Sequence, residues 1–419
     1  MAGEWQMHTL GDLTVNHDSK RKPVKEADRK PGPYPYYGAS GIVDYVDDYL
    51  IDGNYLLIAE DGENLRTRQT PITFMARGKS WVNNHAHIVT GNEKTDTLFL
   101  MYALQATDIS GYLTGAVMPK LTQGNLNKIQ ISCPSLDEQR AIAHILGTLD
   151  DKIELNRRMN ETQEAIARAI FKSWFVDFDP VRAKASGEPS ESICRRLGLT
   201  PDLLALFPDR FQDSELGEIP ERWQIGTFGD VAEHPRRGIQ PTEIAPTTPY
   251  IALEHMPRRC IALSDWDMAD GLESNKFQFK KGEILFGKLR PYFHKVGVAP
   301  IDGVCSTDIV VVAPKAEGWF GFVLGHISSD AFVEHTNAGS TGTKMPRTNW
   351  NDMVRFQIVI PSNIISDTFT SLVRPMVERI IALIYEGRTL AGLRDALLPK
   401  LLSGKLRVPS AENLAEATS

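Results

Sequence analysis

The chain has 419 residues, room for two or three ordinary domains, with 42% hydrophobic and 8% aromatic residues and a formal net charge of -7 at pH 7. That apolar supply excludes a disordered chain, and no run nears the roughly eighteen apolar residues of a membrane span. The acidic balance argues against holding nucleic acid by bulk charge alone, since phosphate neutralisation leaves a basic footprint.

In chain order, the opening residues show no basic region followed by an apolar core, so the cytoplasm is the expected location, with no membrane role. Lys20, Arg21, Lys22, Lys25, Arg29 and Lys30 crowd one stretch, which reads as a solvated face or a phosphate contact. The segment Tyr34 to Gly41, with Tyr36 and Gly38, reads as a loop of close approach or of packing. Short apolar runs at 55–58, 72–74 and 87–89 predict strands, and 96–105 predicts a helix. Between them Lys79, Asn83, Asn84 and His85 form a polar turn.

From Ile142 the period turns helical. Ile142, Leu146, Leu149, Ile153, Asn156, Asn160, Gln163, Ala167, Ile170 and Trp174 alternate four- and three-residue steps, the seam of a coiled coil. A stretch rich in Pro, Gly and charge follows, with a short helix at 201–206. A second module then predicts strands at 282–286 and 309–312 and a helix at 320–328. In it Lys276, Lys280, Lys281, Lys288, Arg290 and Lys295 crowd together. Lys288, Arg290, Ser306, Thr307, Lys344 and Arg347 are further polar and basic positions of this module.

The two modules match at their ends. Trp5-Gln6-Met7-His8-Thr9-Leu10-Gly11-Asp12 is echoed by Trp223-Gln224-Ile225-Gly226-Thr227-Phe228-Gly229-Asp230, an offset of 218. Residues 114–135 repeat at 341–362 with eight identities in 22 ungapped positions, now offset by 227. Carried forward by 227, the helical seam lands on Phe369, Val373, Met376, Ile380, Leu383, Gly387, Leu390, Arg394, Leu397 and Leu401. The expected fold is α+β: two α/β recognition domains as an internal repeat, joined by two long antiparallel coiled-coil helices. The expected segments are 1–134 and 215–362 for the domains, 135–177 and 363–406 for the helices, 178–214 for a connector and 407–419 for a flexible tail.

Catalytic signatures are missing: no GxxxxGK[ST] loop, HExxH or GxSxG occurs, and the four cysteines Cys133, Cys194, Cys260 and Cys305 lack CxxC spacing. Asp47-Asp48 and Asp150-Asp151 are adjacent carboxylates that point apart, and His85 and His87 lack a third metal ligand nearby.

Several ordered motifs carry a resemblance. Cys133-Pro134-Ser135-Leu136-Asp137-Glu138-Gln139-Arg140-Ala141-Ile142 with Leu149-Asp150-Asp151-Lys152-Ile153, then Ser173-Trp174-Phe175-Val176-Asp177-Phe178-Asp179-Pro180, Glu215-Leu216-Gly217-Glu218-Ile219-Pro220 and Leu397-Leu398-Pro399-Lys400-Leu401 resemble the specificity subunits of Type I restriction-modification systems. The resemblance implies a non-catalytic subunit whose two domains each read half of a split double-stranded DNA target, with Tyr36, Gly38, Lys79, Asn83, Asn84 and His85 in the first and Lys288, Arg290, Ser306, Thr307, Lys344 and Arg347 in the second as candidate DNA contacts; asparagine matches the donor–acceptor pair of adenine, and lysine suits guanine. It also implies that the helices set the gap and dock two modification subunits. Those partners would carry S-adenosylmethionine for adenine N6-methylation, and restriction (motor-nuclease) subunits would use ATP and Mg; no cofactor is expected on this chain. Ile142, Leu146, Leu149, Ile153, Trp174, Val373, Ile380, Leu397 and Leu401 are the expected coiled-coil and docking positions. A stand-alone DNA-binding module and a coiled-coil adaptor stay open as alternatives.

Overall fold

The computed structural model describes residues 5–340 and 345–408. They form a mixed helix-and-sheet protein that divides into two compact units, 1–152 with 390–419 and 153–389.

In the first unit the strands are β1 (Gln6–Thr9), β2 (Thr14–Asn16), β3 (Pro31–Gly38), β4 (Gly41–Val46), β5 (Asn54–Ala59), β6 (Thr73–Arg77), β7 (Trp81–Val82), β8 (Ala86–Gly91) and β9 (Gln130–Cys133). They make sheets of order β2-β8-β5-β6 and β4-β3-β7, and β1 pairs with β9. The helix Thr97–Ala106 covers β5 and β6, its first turn capped by the Asp96 carboxylate, which accepts from Leu98 N and Phe99 N at 2.9 Å. Tyr34 to Gly41 is a strand and hairpin rather than a loop. Pro31, Pro33 and Pro35 are tolerated there because β3 meets β7 only at Tyr36 and Tyr37, leaving the proline stretch a single neighbour.

Two short strands lie in the segment between the modules, β10 (Phe211–Gln212) and β11 (Ile219–Pro220). The second unit continues with β12 (Gln224–Thr227), β13 (Ala232–Glu233), β14 (Gly238–Ile239), β15 (Pro249–Ile251), β16 (Asp267–Met268), β17 (Lys276–Phe279), β18 (Ile284–Gly287), β19 (Val296–Val298), β20 (Gly303–Cys305), β21 (Ile309–Pro314) and β22 (Gln357–Ile360). Its main sheets run β13-β21-β18-β19 and β14-β17-β20-β15-β16.

The same closure occurs in each unit. A strand ends in Thr9 or Thr227, whose backbone N–H donates to Asp12 at 3.3 Å or to Asp230 at 2.7 Å, and that strand pairs with the last strand of its module. Hydrogen bonds from the threonine hold both carboxyls below the usual carboxylate range.

Two 40-residue helices, Leu136–Phe175 and Asn363–Leu402, pass through both units. In the first unit Ile142, Ala143 and Leu146 share a core with Leu401 and Leu10. Asp150 accepts from Tyr102 Oη at 2.6 Å and from Arg394 at 2.7 Å, while Asp151 pairs with Arg77 at 2.8 Å. In the second unit Phe171, Trp174 and Phe175 pack with Phe369 and Phe322. The glycine at 325 is needed there, because a Cβ would stand 2.1 Å from the Phe171 ring. Nearby Glu164 is buried and accepts from Ile261 N at 2.9 Å and Arg168 at 2.6 Å; burial raises its carboxyl despite both bonds.

Candidate nucleic-acid interface

In the second unit the ends of β18 and β20 and the strand-like stretch 346–348 converge on one turn. Lys288 N donates to Asp308 O at 2.9 Å, Thr348 N to Lys288 O at 3.1 Å, and Arg290 N to Pro346 O at 2.7 Å. Leu289 and Arg347 form an antiparallel bridge. Ser306 N donates to Ile251 O at 3.0 Å, and Asp308 N donates to Ser306 Oγ at 3.2 Å. This brings together the candidates Lys288, Arg290, Ser306, Thr307 and Arg347; Lys344 lies outside the described residues.

Their side chains are used unequally. Arg347 is half exposed and held by Asp308 at 3.1 Å. Arg290 has a left-handed backbone, φ 52°, its guanidinium lies 5.8 Å from the Phe293 ring centre, and its buried Nε has no hydrogen-bond partner among the described residues. Arg258 lies over the same ring at 3.9 Å and Tyr292 is 49% exposed, so cations and an aromatic edge surround the turn.

The first unit repeats those bonds. Glu60 N donates to His85 O at 2.9 Å, Leu121 N to Glu60 O at 2.7 Å, Gly62 N to Pro119 O at 3.1 Å and Asn83 N to Tyr37 O at 3.0 Å. Asp61 and Lys120 form the bridge, and His85 N donates to Asn83 Oδ1 at 2.8 Å. Here the side chains differ: Asp61 stands for Leu289, Gly62 for Arg290 and His85 for Asp308, while Lys120 keeps the charge of Arg347. Asp61 accepts from His85 Nδ1 at 2.8 Å and Lys120 pairs with Glu60 at 3.0 Å. Burial pushes Glu60 up, but hydrogen bonds from Arg21 and Lys120 outweigh it and leave the carboxyl below its usual range.

Asn84 and His85 are exposed on this turn, whereas buried Asn83 spends its side chain shaping it. Lys79 stands at the other end of β7, exposed, 4.6 Å from the Tyr49 ring, and the Tyr49 and Tyr34 phenols hold its ammonium above the usual range. Two expectations are corrected. Tyr36 is only 1% exposed, stacks on Trp81 and bonds the Val24 backbone through its hydroxyl, so it is a core residue. Gly38 is buried against Asn83 and Val43 rather than open at the surface. Sequence reading passed over Asp61, Gly62 and Lys120; the signal available was Pro119-Lys120 matching Pro346-Arg347 at the common offset.

Other candidates are structural. His87 is buried, with Nδ1 2.6 Å from Asp18 and Nε2 2.8 Å from Leu121 O. Much of the basic stretch at 20–30 is spent internally, Arg21 on Asp18 and Glu60 and Arg29 on Asp44. Among the described residues no cluster of His, Cys, Asp and Glu could hold a metal, and no helix is long and apolar enough to cross a membrane.

Residues 2–165 match the family described as the Type I restriction modification DNA specificity domain. The Type I restriction enzyme MjaIX specificity subunit of Methanocaldococcus jannaschii is 27% identical over 97% of this chain and 94% of its own. Over nearly its whole length the chain is similar to Type I specificity subunits. The EcoDI specificity subunit of Escherichia coli is 25% identical over 85% of this chain and 78% of its own. The crystal structure of a Type I restriction-modification S subunit from M. genitalium shares the fold, with TM-score 0.61 and 15% identity over 95% of this chain and 96% of that one.

In this chain the expected docking positions face inward. Ile142, Leu146, Trp174, Val373, Ile380 and Leu401 are buried, while Leu149, Ile153 and Leu397 are partly buried. Helix packing inside each unit uses these side chains, so the buried ones cannot also be the surface that receives another subunit.

Proposed function

We propose that each unit reads one half of a split DNA sequence and that the turn at 60–62, 83–85 and 120, with its counterpart at 288–290, 306–308 and 347, carries the reading. The chain is the DNA-recognition subunit of a Type I restriction-modification system, a non-catalytic part of that enzyme. The observation that supports two readers is the identical backbone bonding of the two turns beneath unlike side chains. This favours a duplicated recognition module with long antiparallel helices that set the distance between half-sites. Modification subunits then supply S-adenosylmethionine and methylate adenine, two of them per specificity subunit. Restriction subunits add ATP-dependent cleavage, and the assembly works in the cytoplasm.

The test is co-expression with the modification subunit, followed by single-molecule sequencing for N6-methyladenine. Methylation confined to one split motif is the expected result. A stable complex that leaves DNA unmethylated, or no complex at all, would overturn the reading.

A further inference from the structure

We propose that the two turns are one reading frame with opposite hydrogen-bonding polarity: Arg290 donates to a guanine in one half-site, and Asp61 accepts from an exocyclic amine of cytosine or adenine in the other. The inference rests on the proposed function and adds to it which residue reads, and by what chemistry.

The bonds of each turn place Gly62 where Arg290 stands, Asp61 where Leu289 stands, His85 where Asp308 stands and Lys120 where Arg347 stands. Backbone geometry is thus held constant while the presented groups change. In the second unit Asp308 occupies Arg347, which leaves Arg290 without an ion pair among the described residues. Its stem is fixed by the Arg290 N–H to Pro346 O bond and by the Phe293 ring. A planar fork held in this way suits the O6 and N7 acceptors of guanine. In the first unit glycine removes the fork, and Asp61 brings a partly exposed carboxylate that is paired with His85. A carboxylate accepts from N4 of cytosine or N6 of adenine and repels guanine's acceptor edge.

The experiment maps N6-methyladenine made by the complex of this chain with its modification subunit, for the wild type, Arg290→Ala, Arg290→Lys and Asp61→Ala. Melting and complex formation are measured beside it, and Arg290→Lys retains a stem and a charge should the alanine variant not fold. Arg290→Ala is expected to relax one guanine in one half-site by about 5- to 150-fold, the worth of one bidentate pair. Arg290→Lys relaxes the same position less, and Asp61→Ala relaxes a position in the other half-site only. Unchanged base preference in the arginine variants, a uniform loss with no base relaxed, or relaxation in the same half-site by Arg290→Ala and Asp61→Ala would each overturn the inference while leaving the split-motif function standing. No split motif from the wild type would overturn the function itself.

Discussion

At the scale of single residues the protein separates side chains that read from side chains that hold. Tyr36 was legible as an aromatic in a Pro- and Gly-rich stretch, but its role was not, because that depends on Val24 and Trp81 reaching it from elsewhere in the chain. Tyr36→Phe should cost about 1 kcal/mol, having left the Val24 backbone groups without their partner, and should leave base preference unchanged. Urea melts and methylation mapping test both halves of that statement. His326 offers a pH effect. It is buried among Phe171 and Phe322, its Nε2 has no hydrogen-bond partner among the described residues, and burial pushes its imidazole down to about 3. The unfolded chain takes up this proton near pH 6.5 and the folded chain only near 3, so stability falls as pH drops through that window. His326→Phe should flatten this loss, seen as a smaller difference between melts at neutral and acid pH than in the wild type. A flat wild-type profile would remove His326 from the account.

Elements show where sequence patterns sufficed. The strands expected at 55–58, 87–89 and 309–312 fall within β5, β8 and β21, and the helices expected at 96–105 and 320–328 are found at Thr97–Ala106 and Phe320–Ile327. Apolar runs bounded by turn residues specify such elements locally. The connector was less legible: it holds helices Asp179–Ala185 and Ser190–Leu197, whose buried Val181 and Ile193 join a core assembled from distant segments. The paired turns were hidden because they are made by backbone bonds, whose offsets between the units differ from segment to segment. The helix Phe320–Ile327 supplies a sharp test of packing. Gly325→Ala pushes a methyl into the Phe171 ring and should destabilise the second unit by about 1–3 kcal/mol, read as a lower denaturation midpoint.

For the whole molecule, charge is the governing fact. With a net charge of -7 the chain lacks the basic surplus from which tight phosphate binding is built. The free subunit should bind duplex DNA with a shallow dependence on salt, and the dependence should steepen when modification subunits join. Anisotropy titrations over a salt series measure the slope; a steep slope for the chain alone would contradict this.

The division of the chain also gives synthesis an order. The first unit is made of 1–152 and 390–419, and its core takes Leu401 alongside Leu10 and Ile142, with Arg407 held by Glu138 at 3.0 Å. The second unit, 153–389, is one uninterrupted stretch. On the ribosome the second unit is therefore the one whose residues are all available before translation ends, while the unit begun first must wait for the last helix to emerge. Its early segment passes through that interval with the core still lacking Leu401, a window in which chaperones, proteases or a waiting partner meet it before the chain itself has closed it.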